Sequence, residues 1–184
     1  MKEKELIESF QNGNDEAFDE IVTLYQQRGL RTAYLIVGDQ SDAQDVLQDT
    51  FVKIYLHRDR LKNSEVFSSW FYKILVRTAW EAVRKKKKEV ACEDTLFCDK
   101  RDESTNVEEE MIRLQQSDEI RQAIESLSLE QRTVVVLFYY QGFSIKEIAG
   151  MTGTLEATVK SRMFLARRKL RKLLSAEVKV LRCL

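Results

Sequence analysis

The chain has 184 residues, 43% hydrophobic and 33% charged, with 30 Lys and Arg balancing 30 Asp and Glu; that length supports one large hydrophobic core or two small ones. With no proline, six glycines and little strand-like alternation, the natural class is all-α. No apolar run approaches the roughly 20 residues of a membrane span, and the N-terminal MKEKELIESF lacks a signal-peptide core, so a soluble cytoplasmic protein is expected.

The first clear helix carries Ala17, Phe18, Ile21, Val22, Leu24 and Tyr25 on one stripe, with Gly29 or Gly38 expected to punctuate the chain after it. Ser41 and Gln44 have capping-box spacing and predict the start of a second helix. Its buried side is Ala43, Val46, Leu47, Thr50, Phe51, Ile54 and Tyr55; its other side carries Asp42, Asp45, Gln48, Asp49 and Lys53. A polar loop over 59–68 then leads into an aromatic-rich helix with Trp70 and Trp80, which runs into the basic stretch Arg84 to Lys88.

From Glu89 to Glu110 there are nine acidic residues against two basic ones, and periodic apolar residues fade. The stretch 89–117 is therefore expected to be a flexible acidic linker between two small domains, 1–88 and 118–184. Zero net charge hides this separation of local fields. Cys92, Cys98 and Cys183 are odd in number and lack CxxC spacing, so neither a disulfide framework nor a metal is expected, and no cofactor. His57, the single histidine, stands apart from any nucleophile or ligand constellation, which argues against an enzyme.

In the second half, Ile120, Ala123, Ile124 and Leu127 precede a capping box at Ser128 and Gln131, a helix through Val134, Val135, Leu137 and Phe138, and a stop at Gly142. Another box, Ser144 with Glu147, opens a short helix bearing Ile145, Ile148 and Ala149. Gly153 can supply a left-handed turn after it, and Thr154 the next cap. The last helix has an apolar stripe of Val159, Met163, Ala166, Leu170, Leu173 and Leu174, with Lys160, Ser161, Phe164, Arg167, Arg168 and Arg171 mostly off it. This is the pattern of a helix-turn-helix. A helix about 10–12 Å across fits a major groove about 12 Å wide, so early residues meet base edges while later Lys and Arg meet phosphates.

Together the segments DAQDVLQDTFVKIY, WFYKIL running into RKKKK, SLEQRTVVVLFYYQGFSIKEIA and TVKSRMFLARRKL resemble the extracytoplasmic-function (ECF) sigma factors, two-domain specificity subunits of bacterial RNA polymerase. The resemblance covers nearly the whole chain apart from the linker and the last residues. It implies a non-catalytic subunit whose Asp42–Tyr55 helix docks on the beta-prime coiled coil of core polymerase through Asp45, Gln48, Asp49 and Lys53; the beta flap is a further implied contact. It implies that Lys62, Asn63, Trp70, Arg77, Trp80, Arg84 and Lys85 read and open the promoter −10 element. For the −35 element it implies Glu156, Ala157, Lys160, Ser161, Arg162 and Arg167. An anti-sigma factor, often membrane-anchored in the family, and a role in stress or envelope responses are further expectations; no small-molecule substrate is expected. Arg77 stands where many relatives have Asn, and Glu81 where an Asp is usual, so the resemblance does not carry a promoter preference over to this chain. A stand-alone helix-turn-helix regulator is the alternative, and it leaves the capped acidic helix and the aromatic-basic segment unexplained.

Overall fold

The computed structural model describes residues 3–92 and 120–174, and among these there are helices and turns but no strand. The N-terminal part consists of α1 (Glu3–Gln11), α2 (Asp15–Val37), α3 (Gln40–Leu56) and α4 (Phe67–Cys92), with 3₁₀ turns at Arg58–Arg60 and Ser64–Val66 joining the last two. Asn14 caps α2 by accepting from the N–H groups of Glu16 and Ala17 at 3.0 and 3.4 Å. Gly38, at φ 85°, ends it in the left-handed conformation. That turn leaves Asp39 extended, and its carboxylate accepts from Asp42 N–H at 2.9 Å. Asp39 is therefore the cap of α3. The expected Ser41–Gln44 box does not form, because both residues already lie inside the helix.

Gly29 does not punctuate: it sits in the interior of α2. A Cβ there would lie 2.7 Å from Leu47 Cδ1 and 3.0 Å from Phe71 Cζ, so its absence lets α2, α3 and α4 approach closely. Around this point Phe10, Ile21, Ile54, Phe67, Phe71 and Leu75 are fully buried. Tyr25 packs between Phe67 and Phe71 at ring distances of 5.2 and 4.8 Å.

The C-terminal part begins with helical residues 120–125 (α5) and continues with α6 (Leu129–Val135), extended by a wide π-type turn at Val136–Tyr140, then α7 (Ile145–Thr152) and α8 (Glu156–Leu173). Both expected capping boxes, Ser128–Gln131 and Ser144–Glu147, are formed. Gly153 takes φ 66° as expected, but Thr154 is not the cap of α8. Its N–H closes back on Ala149 O at 3.0 Å, which completes the end of α7 and leaves Leu155 as the extended N-cap without a side-chain hydrogen bond. α6, α7 and α8 pack over Leu137, Ile148, Val159 and Met163.

The two parts pack together. α4 lies against α7, and α2 against α6. Trp80 Nε1 donates to Thr133 Oγ1 at 2.9 Å, and an Arg132 guanidinium nitrogen donates to Ile36 O at 3.0 Å. Gln141 Nε2 donates to Thr32 Oγ1, and the rings of Tyr72 and Phe143 meet edge-on at 5.2 Å. α4 runs on to Cys92, past the expected domain end at 88. The rest of the expected linker, Cys98 and Cys183 lie outside the described residues.

Candidate partner-docking and nucleic-acid surfaces

Helix α3 shows two outer ridges because residues four apart stack along a helix. On one, Asp45 and Asp49 are exposed while Lys53 turns to α4, its Nζ donating to Thr78 Oγ1 and pairing with Glu81 Oε2, both at 3.0 Å. On the other, Gln44, Gln48, Val52 and Leu56 form the wall of a groove of about 720 Å³, whose floor is Leu47 and Phe51 and whose far wall is Phe18, Val22 and Leu30 of α2. Val52 and Leu56 are 50% and 65% exposed. The expected docking set is thus divided: Gln48 lines the groove, Asp45 and Asp49 flank it, and Lys53 ties helices together. The apolar members went unread in the sequence, although the strict spacing of four from Gln44 to Leu56 carries them.

Beyond α3, the connection to α4 is anchored by buried Leu61 and Ser64, the latter donating to Glu8 Oε1 at 3.1 Å. This leaves Lys62 and Asn63 exposed, with Asn63 Oδ1 accepting from Glu65 N–H at 2.9 Å. On α4, Trp70 is half-buried with its ring 6.0 Å from that of Phe67, the position of a packing anchor. Arg77 is exposed; Trp80 is half-buried and faces α6, with the Arg84 guanidinium 5.7 Å from its ring centre. Arg84 and Lys85 lie on the exposed basic end of α4. There Lys86 meets Asp42 at 2.7 Å, a hydrogen bond that pushes the lysine pKa up. Of these residues, Trp80 is engaged by the C-terminal part through Thr133.

At the start of α8, Glu156, Ala157, Lys160 and Ser161 are all exposed. Phe164, one turn on, is 65% exposed, and Leu155 at the N-cap is 75% exposed; neither was among the expected contacts. Arg162 is half-buried, with one guanidinium nitrogen buried and unpartnered among the described residues. Arg167 is half-buried too: its Nε donates to Tyr139 Oη at 2.8 Å, and its guanidinium lies 5.7 Å from that ring. It therefore fastens α8 to the π-type turn as well as carrying charge. In α7, hydrogen bonds from Ser144 hold the Glu147 carboxyl below the ordinary glutamate range.

An open groove between α2 and α3, exposed cations on α4 and a helix-turn-helix with an exposed leading edge define an all-helical protein with three separate candidate surfaces. The sigma-70 region 2 family matches residues 21–89 and the sigma-70 region 4 family residues 117–170. The ECF RNA polymerase sigma factor SigW of Bacillus subtilis is 30% identical over 180 residues, covering 94% of this chain and 96% of SigW. The sigma-H factor of Pseudomonas aeruginosa is 30% identical over 181 residues, with 94% of each chain covered. Among solved structures, the fold is similar to RpoE of Bartonella quintana in complex with the anti-sigma factor NepR (TM-score 0.71, 24% identity, 86% of this chain and 97% of that one). It is also similar to CnrH in complex with the cytosolic domain of CnrY (TM-score 0.66, 22% identity, 93% and 96%). The chain belongs to the ECF family of RNA polymerase sigma factors.

Proposed function

We propose that this chain directs core RNA polymerase to promoters as a non-catalytic subunit, with a separate task for each of the three surfaces. The groove between α2 and α3, with Gln48, Val52, Leu56 and the flanking Asp45 and Asp49, receives a helix of the beta-prime coiled coil. An apolar trough beside exposed carboxylates suits a partner helix with apolar knobs and basic flanks. The beta flap is a further contact. Residues 1–88 act on the −10 element: Lys62, Asn63, Arg77, Arg84 and Lys85 supply polar and cationic contacts to separated strands, and Trp80 a stacking face. Trp70 supports that helix from within. Residues 118–184 read the −35 element through Glu156, Ala157, Lys160 and Ser161 in the major groove. Arg167, held by Tyr139, fastens the helix that presents them, and Arg162 is half-buried on the same helix. The work is done in the cytoplasm, under an anti-sigma factor as in the solved complexes of related fold.

The observation that carries this reading is the pairing, in one chain, of an exposed apolar groove on α2 and α3 with a helix-turn-helix whose first recognition residues are free. A stand-alone regulator has no use for the groove. The test is run-off transcription from a genomic fragment library with bacterial core polymerase, with and without the protein. New start sites sharing two upstream elements are expected; DNA binding without new starts would refute it.

A further inference from the structure

We infer that Tyr139 and Arg167 together form a clamp for one backbone phosphate of the −35 duplex, beside the groove that α8 enters; the inference rests on the sigma-factor reading. Tyr139 belongs to none of the DNA surfaces described above. It stands on the π-type turn Val136–Tyr140, whose Val136 and Leu137 are buried while Tyr139 is half-buried and Tyr140 exposed. Wide turns of this kind recur at functional sites. The Phe138 ring meets that of Tyr139 edge-on at 4.9 Å and steadies it. From α8, Arg167 Nε donates to Tyr139 Oη at 2.8 Å, with the guanidinium carbon 5.7 Å from the ring centre.

The chemistry of the pair leaves donors to spare. A guanidinium carries its N–H groups in a planar fork, and a phenol both accepts and donates. Because Tyr139 is the acceptor here, its own hydrogen points elsewhere; among the described residues nothing takes that O–H or the N–H groups on the two terminal nitrogens of Arg167. Donation from a cation polarises the hydroxyl and strengthens it as a donor in turn. The pair therefore presents a phenol hydrogen beside a guanidinium fork of fixed orientation, a donor set that suits the charged oxygens of a phosphate. Position decides which phosphate. Arg167 shares a face of α8 with Lys160, Phe164 and Arg171, all exposed and one or two turns away. It lies roughly 16 Å along the helix from Glu156, whereas the major groove is roughly 8.5 Å deep. With the first turn of α8 at base edges, Arg167 and Tyr139 stand level with the sugar-phosphate backbone. A contact there carries no sequence information; it fixes the register in which Lys160 and Ser161 meet the bases.

Tyr139→Phe keeps the ring and its contact with Phe138 and removes only the oxygen. The assay is equilibrium binding of core polymerase carrying the full chain to a promoter from the run-off experiment, prepared as a set of duplexes in which one −35 phosphate at a time is replaced by an uncharged methylphosphonate. With the wild-type chain, neutralising one phosphate beside the groove should weaken binding about 3- to 10-fold, the scale of one hydrogen-bonded contact. On the unmodified duplex, Tyr139→Phe should weaken binding by a similar factor for every −35 sequence. Neutralising the same phosphate should then have little further effect, because both changes remove one interaction. Arg167→Lys, which keeps the charge and lacks the fork, should lose the same sensitivity. Undiminished binding by Tyr139→Phe would overturn the clamp, and so would weaker binding that keeps full sensitivity to every phosphate, the mark of a purely structural hydroxyl. A loss that varied with the −35 base sequence would overturn the assignment to the backbone. Circular dichroism at the binding temperature checks folding, and if Tyr139→Phe is unfolded, Arg167→Lys is judged by the same outcomes. Failure of the wild-type holoenzyme to bind any promoter would overturn the sigma-factor reading and the clamp with it, whereas the other adverse outcomes overturn the clamp and leave that reading standing.

Discussion

The groove beside α3 gives the sharpest quantitative test of polymerase docking. Leu56 is 65% exposed and Val52 50% exposed, so both have apolar surface to lose on binding and little role in the fold. Fully burying such a side chain is worth about 1.5–3 kcal/mol. Covering the remaining two-thirds of Leu56 should then contribute about 1–2 kcal/mol, and covering half of Val52 about 0.8–1.5 kcal/mol. Leu56→Ala is expected to weaken core polymerase binding about 5- to 30-fold, and Val52→Ala somewhat less. The two side chains sit one turn apart on the same wall, so the double variant need not show the product of the single effects. Thermal stability should move by no more than about 0.5 kcal/mol, as for surface substitutions generally. Competition for fluorescently labelled chain on core polymerase gives the affinities, and thermal melting gives the control. Unchanged affinity in the double variant would refute docking in this groove, and lost affinity accompanied by lost stability would refute the claim that these side chains are free of the fold.

Gly29→Val should lower stability by about 1–3 kcal/mol even though valine is the better helix former, because the new side chain meets Leu47 and Phe71; a melting temperature at or above wild type would show that those neighbours yield. Lys160→Ala should reduce the salt slope of −35 binding by about one without affecting melting. Arg167→Ala should lower melting as well, since Arg167 is held by Tyr139; equal effects from the two would refute the division of roles. Glu147 has a depressed pKa in the fold, so the unfolded chain binds more protons and stability rises with pH through that window. The contribution is complete above the ordinary glutamate pKa of about 4.3 and is lost as pH falls through the folded value. Melting of wild type against Ser144→Ala from neutral pH down to about 3 should show a flatter profile for the variant, and parallel profiles would mean that the capping box does not hold the proton equilibrium.

Legibility in the sequence tracks the range of each interaction. The Ser128–Gln131 and Ser144–Glu147 boxes were legible because both partners sit within one turn. The similar Ser41–Gln44 pair misled because Gly38 and Asp39 had already started the helix. Of the two glycines offered as stops, Gly38 ends α2 and Gly29 does not; the reason for Gly29, contact with Leu47 and Phe71, comes from other helices. The exposed polar row of α3 was visible, yet the groove next to it needs α2 as its second wall. Trp70 and Trp80 look alike in sequence, and their difference lies in the Phe67 ring beside one and Thr133, 53 residues away, beside the other. The expected division into two domains rested on charge and periodicity alone; the seam where residues 3–92 meet 120–174 was not legible, since every hydrogen bond across it links residues far apart in the chain.

The chemistry of that seam differs from that of the two cores. Inside each part the buried contacts are apolar, Phe10, Ile21, Ile54 and Phe71 on one side and Leu137, Ile148 and Val159 on the other, and exposing them would lose their full transfer free energy. Across the seam, apolar contact such as that of Tyr72 with Phe143 is joined by the polar contacts of Trp80, Arg132 and Gln141. Burial pushes the Tyr72 hydroxyl up to about 12 and lowers the pKa of Arg132, whose Nε is buried without a partner among the described residues. Such groups regain water when the parts separate, so each hydrogen bond contributes only its small net value to closure, and the unpartnered Nε counts against it. These polar contacts are therefore the weaker share of the seam, whereas the apolar cluster that runs through both parts holds it. Substitutions should divide accordingly: Thr133→Val, which removes the hydrogen bond from Trp80, should lower stability by about 1 kcal/mol, whereas Phe71→Ala or Ile148→Ala should lower it by about 2–5 kcal/mol in thermal melting.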